Sequence, residues 1–148
     1  MIIASLVFII LTVFCITFWF NSNITASEHA KKNRMEYEII SISDLMLKTS
    51  GVPYDWETNT SNISSIGLVS SPNVLSSKKL SNFTNMSYGN ITSALGLKYE
   101  FNFYVEDASG NRLYEAGNAT ISAKTVVSIT RYALLDGQKV KVRMNIHG

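Results

Sequence analysis

The first charged residue in this chain is Glu28, and before it residues Met1 to Phe20 are apolar except for Ser5, Thr12 and Thr17. That run constrains the fold more than anything that follows it. A helix of about 20 residues spans roughly 30 Å, the thickness of a bilayer's hydrocarbon core, and a helix apolar on every side must be covered on every side. Trp19 falls where an interfacial aromatic would sit. A secretory signal has a basic start, a shorter apolar core and a small-x-small exit, whereas this run has no basic start and closes on Phe18, Trp19 and Phe20. A retained helix is therefore expected over a cleaved one.

The helical pattern continues beyond the run. Asn21 to Thr25 form a polar collar, and then Met35, Ile39, Ile42 and Met46 recur at spacings of four, three and four, with Leu45 beside them. This is the single stripe of an amphipathic helix. Lys32 with Glu36, and Arg34 with Glu38, stand at the spacing of ion pairs along its outer face. Gly51 is a natural left-handed cap and Pro53 forbids continuation, so the helix is expected to stop near Ser50. The predicted organisation is an N-terminal helix over residues 1–50, apolar in 1–20 and amphipathic in 28–50, followed by a β-rich globular domain over 51–148. The stripe of Met35, Ile39, Ile42 and Met46 is expected to pack on that domain.

Residues 51–148 suffice for one domain with its own core but not for two. Gly51 to Trp56 and the Thr/Ser/Asn-rich stretch to Ser65 read as a surface loop, with Trp56 pinning it to the core and sugar stacking as the other use of that ring. Ile66 to Val69 suggests a short strand, Ser71-Pro72 a turn, and Ser87 to Leu97 a short helix with Ile91, Ala94 and Leu95 inward. The period then becomes two. Tyr99, Phe101, Phe103 and Val105 alternate with Glu100, Asn102, Tyr104 and Glu106, a strand with one buried face. Asp107 to Asn111 turns the chain into Arg112 to Glu115, Thr120 to Leu134 reads as a long strand, and Asp136-Gly137 is a hairpin turn. In the last strand Val140, Val142, Met144 and Ile146 face in. The fold class is α+β: a long N-terminal helix packed on an antiparallel sheet of about four or five strands.

Two signals on orientation conflict. Lys31, Lys32 and Arg34 follow the apolar run, which by the positive-inside tendency keeps the tail in the cytoplasm. Yet Asn-x-Ser/Thr sequons occur at Asn23, Asn59, Asn62, Asn82, Asn85, Asn90 and Asn118, seven of 13 asparagines, where composition alone yields roughly two to three. The excess points to an N-glycosylated surface outside the cell, against the plain reading that a Ser/Thr/Asn-rich chain makes accidental sequons. The signals reconcile if a short basic leader preceded Met1 and this is a mature form.

Little else in the sequence points to chemistry. With 13 basic against 11 acidic residues spread along the chain there is no phosphate-binding patch, so nucleic acid is not an expected partner. Cys15, the only cysteine, lies in the apolar run, leaving the tail without an internal disulfide or thiolate metal site. His29 and His147 stand at opposite ends of the chain, and no nucleophile elbow, phosphate loop or paired-histidine zinc motif occurs. Glu106, Asp107 and Asn111 around Gly110 read as a hairpin turn and not a calcium loop, because the alternate-position oxygens are missing. No catalytic role, cofactor or metal is expected.

The apolar helix running into an amphipathic half, then Gly51-Val-Pro-Tyr-Asp-Trp56, Ile66-Gly-Leu68, Val74-Leu75 before Lys78-Lys79-Leu80, and Arg131-Tyr-Ala-Leu-Leu-Asp-Gly137 together resemble archaeal type IV pilin-like proteins of the class III signal peptide family. The resemblance runs over nearly the whole chain, and its helix-plus-sheet plan is shared with archaellins and secretion pseudopilins. It implies cleavage by a prepilin peptidase, membrane storage before assembly, partnership with a pilus assembly machinery, and a homo-oligomeric helical filament. In that filament Phe8, Phe14, Phe18, Trp19 and Phe20 would interlock in the core and the glycosylated domains would lie outside. Two departures stand out: no basic leader is visible, and the glutamate many pilins carry at mature position five is Ser5 here. The competing reading is a monomeric, membrane-anchored surface domain, an adhesin or an accessory or minor pilin of a surface machine.

Overall fold

A computed structural model describes residues 2–59, 63–118 and 125–148. The chain forms two compact units, Met1–Arg34 and Met35–Gly148. One helix, α1 (Ile2–Lys48), begins in the first and ends in the second. No glycine or proline interrupts it, so no residue within it carries the helix penalty those two impose. The expected Gly51 cap does not form. α1 ends at Lys48, the Thr49 N–H and hydroxyl both return to the Leu45 carbonyl, and Gly51, at φ 86°, opens strand β1 (Gly51–Val52).

The carbonyls left over at the end of α1 are satisfied by the domain itself. Leu68 donates to the Met46 carbonyl and Asn73 to the Leu47 carbonyl, each at 2.8 Å, so the helix end is stitched to the chain that follows it. Backbones approach closely here: a Cβ on Gly67 would lie 1.9 Å from the Thr49 carbonyl oxygen, so only glycine fits. The segment read as one strand over Ile66–Val69 is broken by this contact into β2 (Ser65–Ile66), which pairs with β1, and β3 (Val69–Ser71).

The main sheet adds β4 (Val74–Leu75), β5 (Glu100–Glu106), β6 (Arg112–Gly117), β7 (Val126–Leu135) and β8 (Gln138–His147), in the order β3-β4-β7-β8-β5-β6. The long pairings β7–β8, β5–β8 and β5–β6 are antiparallel, while the short β4–β7 pair is parallel, which makes the six-stranded sheet mixed. The β7–β8 hairpin turns at Asp136 (φ 51°) and Gly137 (φ 80°), two left-handed residues as a tight primed turn requires. The start of the predicted 120–134 strand lies outside the described residues, and β7 reaches one residue further, to Leu135.

Inside the second unit Met35, Ile39, Ile42 and Met46 are all buried, in one core with Phe101, Phe103, Val105, Val142, Met144 and Ile146. The α+β plan is thus realised, with the amphipathic stretch of the helix over the inner face of the sheet. Two helices complete that core. α3 (Tyr88–Leu95) is capped by Ser87 at its start and by left-handed Gly96 at its end. α2 (Ser77–Asn85), which the sequence pattern does not reveal, buries Leu80 and Phe83, and Phe83 meets Phe103 edge to face at 5.3 Å. β5 also departs from one-sided burial. Asn102 and Tyr104 are buried as well as Phe101, Phe103 and Val105, because Arg112 stacks on the outer face of Tyr104 at 4.4 Å and Asn102 reaches Glu115.

Candidate functional site: an uncovered apolar helix and the sequons

Within the first unit every described side chain from Ile3 to Arg34 is exposed, including Phe8, Phe14, Phe18, Trp19 and Phe20, with Trp19 at 68%. Its polar groups turn inward on the helix. The Thr12 hydroxyl donates to the Phe8 carbonyl (2.8 Å) and that of Thr17 to the Val13 and Phe14 carbonyls (2.9 Å each). The Asn23 amide likewise bonds the Trp19 carbonyl. Such back-bonding leaves residues 3–20 presenting hydrocarbon and aromatic surface. Phe14 and Phe18, one turn apart, stack at 6.3 Å. The helix is long and apolar enough to cross a membrane.

The sequons do not gather into a single site. Asn59 is exposed after a short 3-10 turn (Trp56–Thr58), Asn118 is exposed just past β6, and Asn90 is exposed on α3. Asn62 lies outside the described residues. Asn82 and Asn85 both stand on α2. Asn82 is half-buried with its amide on the Lys78 carbonyl, whereas Asn85 is exposed at the helix end. Asn23 sits on α1, with no described neighbour crowding it.

Trp56 is fully buried and donates its indole N–H to the Gly67 carbonyl at 2.9 Å, which pins the loop and removes the ring from sugar stacking. Glu38 accepts from the Lys98 backbone N–H at 3.0 Å. That contact fixes the start of β5 against α1 and gives this carboxylate a role other than the expected pairing with Arg34. At the Asp107 turn both carboxylate oxygens are taken by local amides, the Asn111 side chain and the Ser109 and Asn111 N–H groups, all within 2.9 Å. These bonds, the Asn111 side chain foremost, hold the Asp107 carboxyl below the usual carboxylate range.

The polar cluster that sequence reasoning missed is centred on Lys79. Its side chain is 4% exposed, its ammonium donates to the Ser50 and Tyr54 carbonyls, Glu57 Oε2 stands 3.6 Å away, and the Tyr54 ring lies 4.9 Å from the nitrogen. Burial pushes the Lys79 pKa down, and the Glu57 charge partly opposes that shift. The cluster ties α2 to the segment that leaves α1: the ammonium gives two hydrogen bonds to backbone carbonyls and holds the Glu57 carboxylate as an ion pair without a hydrogen bond. Only the position of Lys79 one residue before Leu80, on the buried side of a short helix, hinted at it. Among the described residues no group of three or more His, Cys, Asp or Glu stands close enough to hold a metal ion. His147 ends β8 opposite Val126 and Glu100, far in sequence from the exposed His29 on α1.

No protein-family model, curated protein or solved structure matches this chain.

Proposed function

We propose that the chain is the structural subunit of an extracellular type IV-like filament, whose core is a bundle of the apolar N-terminal helices and whose surface is formed by glycosylated β domains. The observation that carries this reading is the contrast along α1. One face of its last third is buried by the domain of its own chain, while residues 3–20 are exposed on every side. Lipid can supply that cover during storage, and copies of the same helix can supply it after assembly. The absence of charge between residues 1 and 27 supports bundling, since a charge inside a packed core costs several kcal/mol unless it is paired. The sequon density supports an outward-facing domain.

Gentle shearing of cells, followed by high-speed sedimentation and electron microscopy, tests the reading. Fibres containing this chain are expected in the pellet, with an intact mass above that of the polypeptide from glycans on several of Asn59, Asn62, Asn82, Asn85, Asn90 and Asn118. Release only by detergent, as a monomer, would instead establish a membrane-anchored surface domain. Fibres whose subunit has the bare polypeptide mass would keep the filament and remove the glycoprotein.

A further inference from the structure

The folded unit carries two apolar patches that its own chain does not cover, and they differ in shape and charge. One is convex. On α1, Tyr37 (77% exposed) and Ile40 (46%) lie opposite the buried stripe, flanked by Glu36, Glu38 and Asp44. The other is a groove of about 270 Å³ where β4 meets β7, lined by Pro72, Val74, Tyr132 and Leu134 and rimmed by Lys139. Lys139 holds its ammonium 4.4 Å over the Tyr132 ring, and Lys141 follows on the same face of β8.

We infer that the Tyr37–Ile40 face of one copy docks into the Pro72–Leu134 groove of a second copy, a contact that rests on the filament reading and names a second interface for it. Three arguments converge. The charges are complementary in sign: Glu36, Glu38 and Asp44 stand around the helix patch, Glu38 accepting from the Lys98 N–H and Asp44 being shared with Lys48 and Arg131, and two lysines stand at the groove. The shapes are compatible too, since a projecting phenol and a branched aliphatic meet a shallow, open apolar surface between β4 and β7. Finally, the two patches are different surfaces of one subunit. A contact between unlike patches, repeated head to tail, generates a ring when its rotation closes and an open helical array when it does not, and the open array is the one that the filament reading requires.

Disulfide trapping in the full chain tests this. With Cys15→Ala as background, Tyr37→Cys and Leu134→Cys are combined, and sheared fibres are oxidised and run without reductant. The expected result is a ladder of covalent multimers from the double variant, and none from either single variant. Fibres that form normally but give no ladder would overturn the docking contact and leave the filament reading intact. No fibres even from the parent chain would overturn both. A charge exchange supplies a readout free of cysteine: Glu36→Lys and Lys139→Glu alone should each lower fibre yield several-fold, and the pair together should restore it. Failure of the pair to restore yield would also count against the contact.

Discussion

The two halves of α1 have the same backbone and opposite surroundings. From Ile3 to Arg34 no described side chain is covered, whereas from Met35 onward the stripe of Met35, Ile39, Ile42 and Met46 is sealed by a sheet. Their sequences differ accordingly. The stretch from Met35 confines its apolar residues to one face because only one face meets the sheet, and residues 3–20 carry theirs all round, where no sheet covers them. Helix formation therefore says little about how a segment is stabilised. For Met35 onward the stabilising partner is in the same chain; for residues 3–20 the described chain supplies none.

The largest expected effect comes from dividing the chain at that contrast. A fragment beginning at Ser27 keeps the whole stripe and should be soluble, with mixed helix and strand signals in circular dichroism. One beginning at Gly51 loses the four stripe residues and Leu47, each contributing on the order of 2–5 kcal/mol, against a total domain stability of about 5–15 kcal/mol. It should expose the inner face of the sheet and aggregate. Equal solubility and equal cooperative melting of both fragments would show that the helix is dispensable to the domain.

Next in size is Lys79→Met in the Ser27 fragment. The stem volume is kept, but Glu57 and the Ser50 and Tyr54 carbonyls lose their ammonium, and removing one partner from a buried pair typically costs about 3–5 kcal/mol. Urea denaturation measures this loss. A change under about 1 kcal/mol would mean that the cluster is hydrated and its burial overstated.

Slightly smaller, and the most direct comparison of the two halves, is Ile39→Ala beside Phe14→Ala in the full chain in detergent. Both remove apolar volume from one helix. Ile39→Ala should lower the unfolding free energy of the domain by about 2–5 kcal/mol, while Phe14→Ala should leave it within about 0.5 kcal/mol, because Ile39 is buried in the core of its unit and the Phe14 ring is exposed on the other unit. Equivalent losses would erase the distinction between the halves.

How much of this was legible in the sequence depends on how much each element relies on partners distant in the chain. The helix stripe, the Asp136-Gly137 hairpin and the inward set of β8 follow local periodicity and turn chemistry, and could be read directly. α2 could not. Its nine residues contain only Leu80 and Phe83 as inward anchors among Ser, Asn, Thr and Lys, a composition that reads as loop until Phe83 meets Phe103. The break between β2 and β3 depends on Gly67 lying against Thr49, a tertiary contact without a local signal. The buried face of Tyr104 depends on Arg112 from the neighbouring strand. At the candidate site the exposure of Phe8 to Phe20 was implied by all-round apolarity, but the Lys79 cluster was hidden because a lysine pair in a polar segment reads as solvated surface.

The smallest expected effect lies at the acid end and uses two exposed turns of the folded unit. Asp44 is held below the usual carboxylate range chiefly by its hydrogen bond from Lys48, against the opposing effect of desolvation, with the charges of Lys48 and then Arg131 adding smaller downward pulls. Asp107 is held down by Asn111 and the turn amides. In both cases the folded pKa lies below the unfolded value near 4, so the unfolded chain takes up the proton first. The stabilisation is then complete above about pH 4 and is lost as pH falls through the folded pKa values. Melting temperatures of the Ser27 fragment should show no slope from these two groups between about pH 5 and 8 and should drop below about pH 4. Asp44→Asn and Asp107→Asn should each reduce that acid drop and lower the neutral melting temperature by the same small amount, since the amide resembles the protonated acid and both carboxylates are solvent-screened. The two substitutions should also add, because the carboxylates stand on separate elements with no shared partner. An acid drop unchanged in the double variant would place the titrating groups elsewhere in the domain.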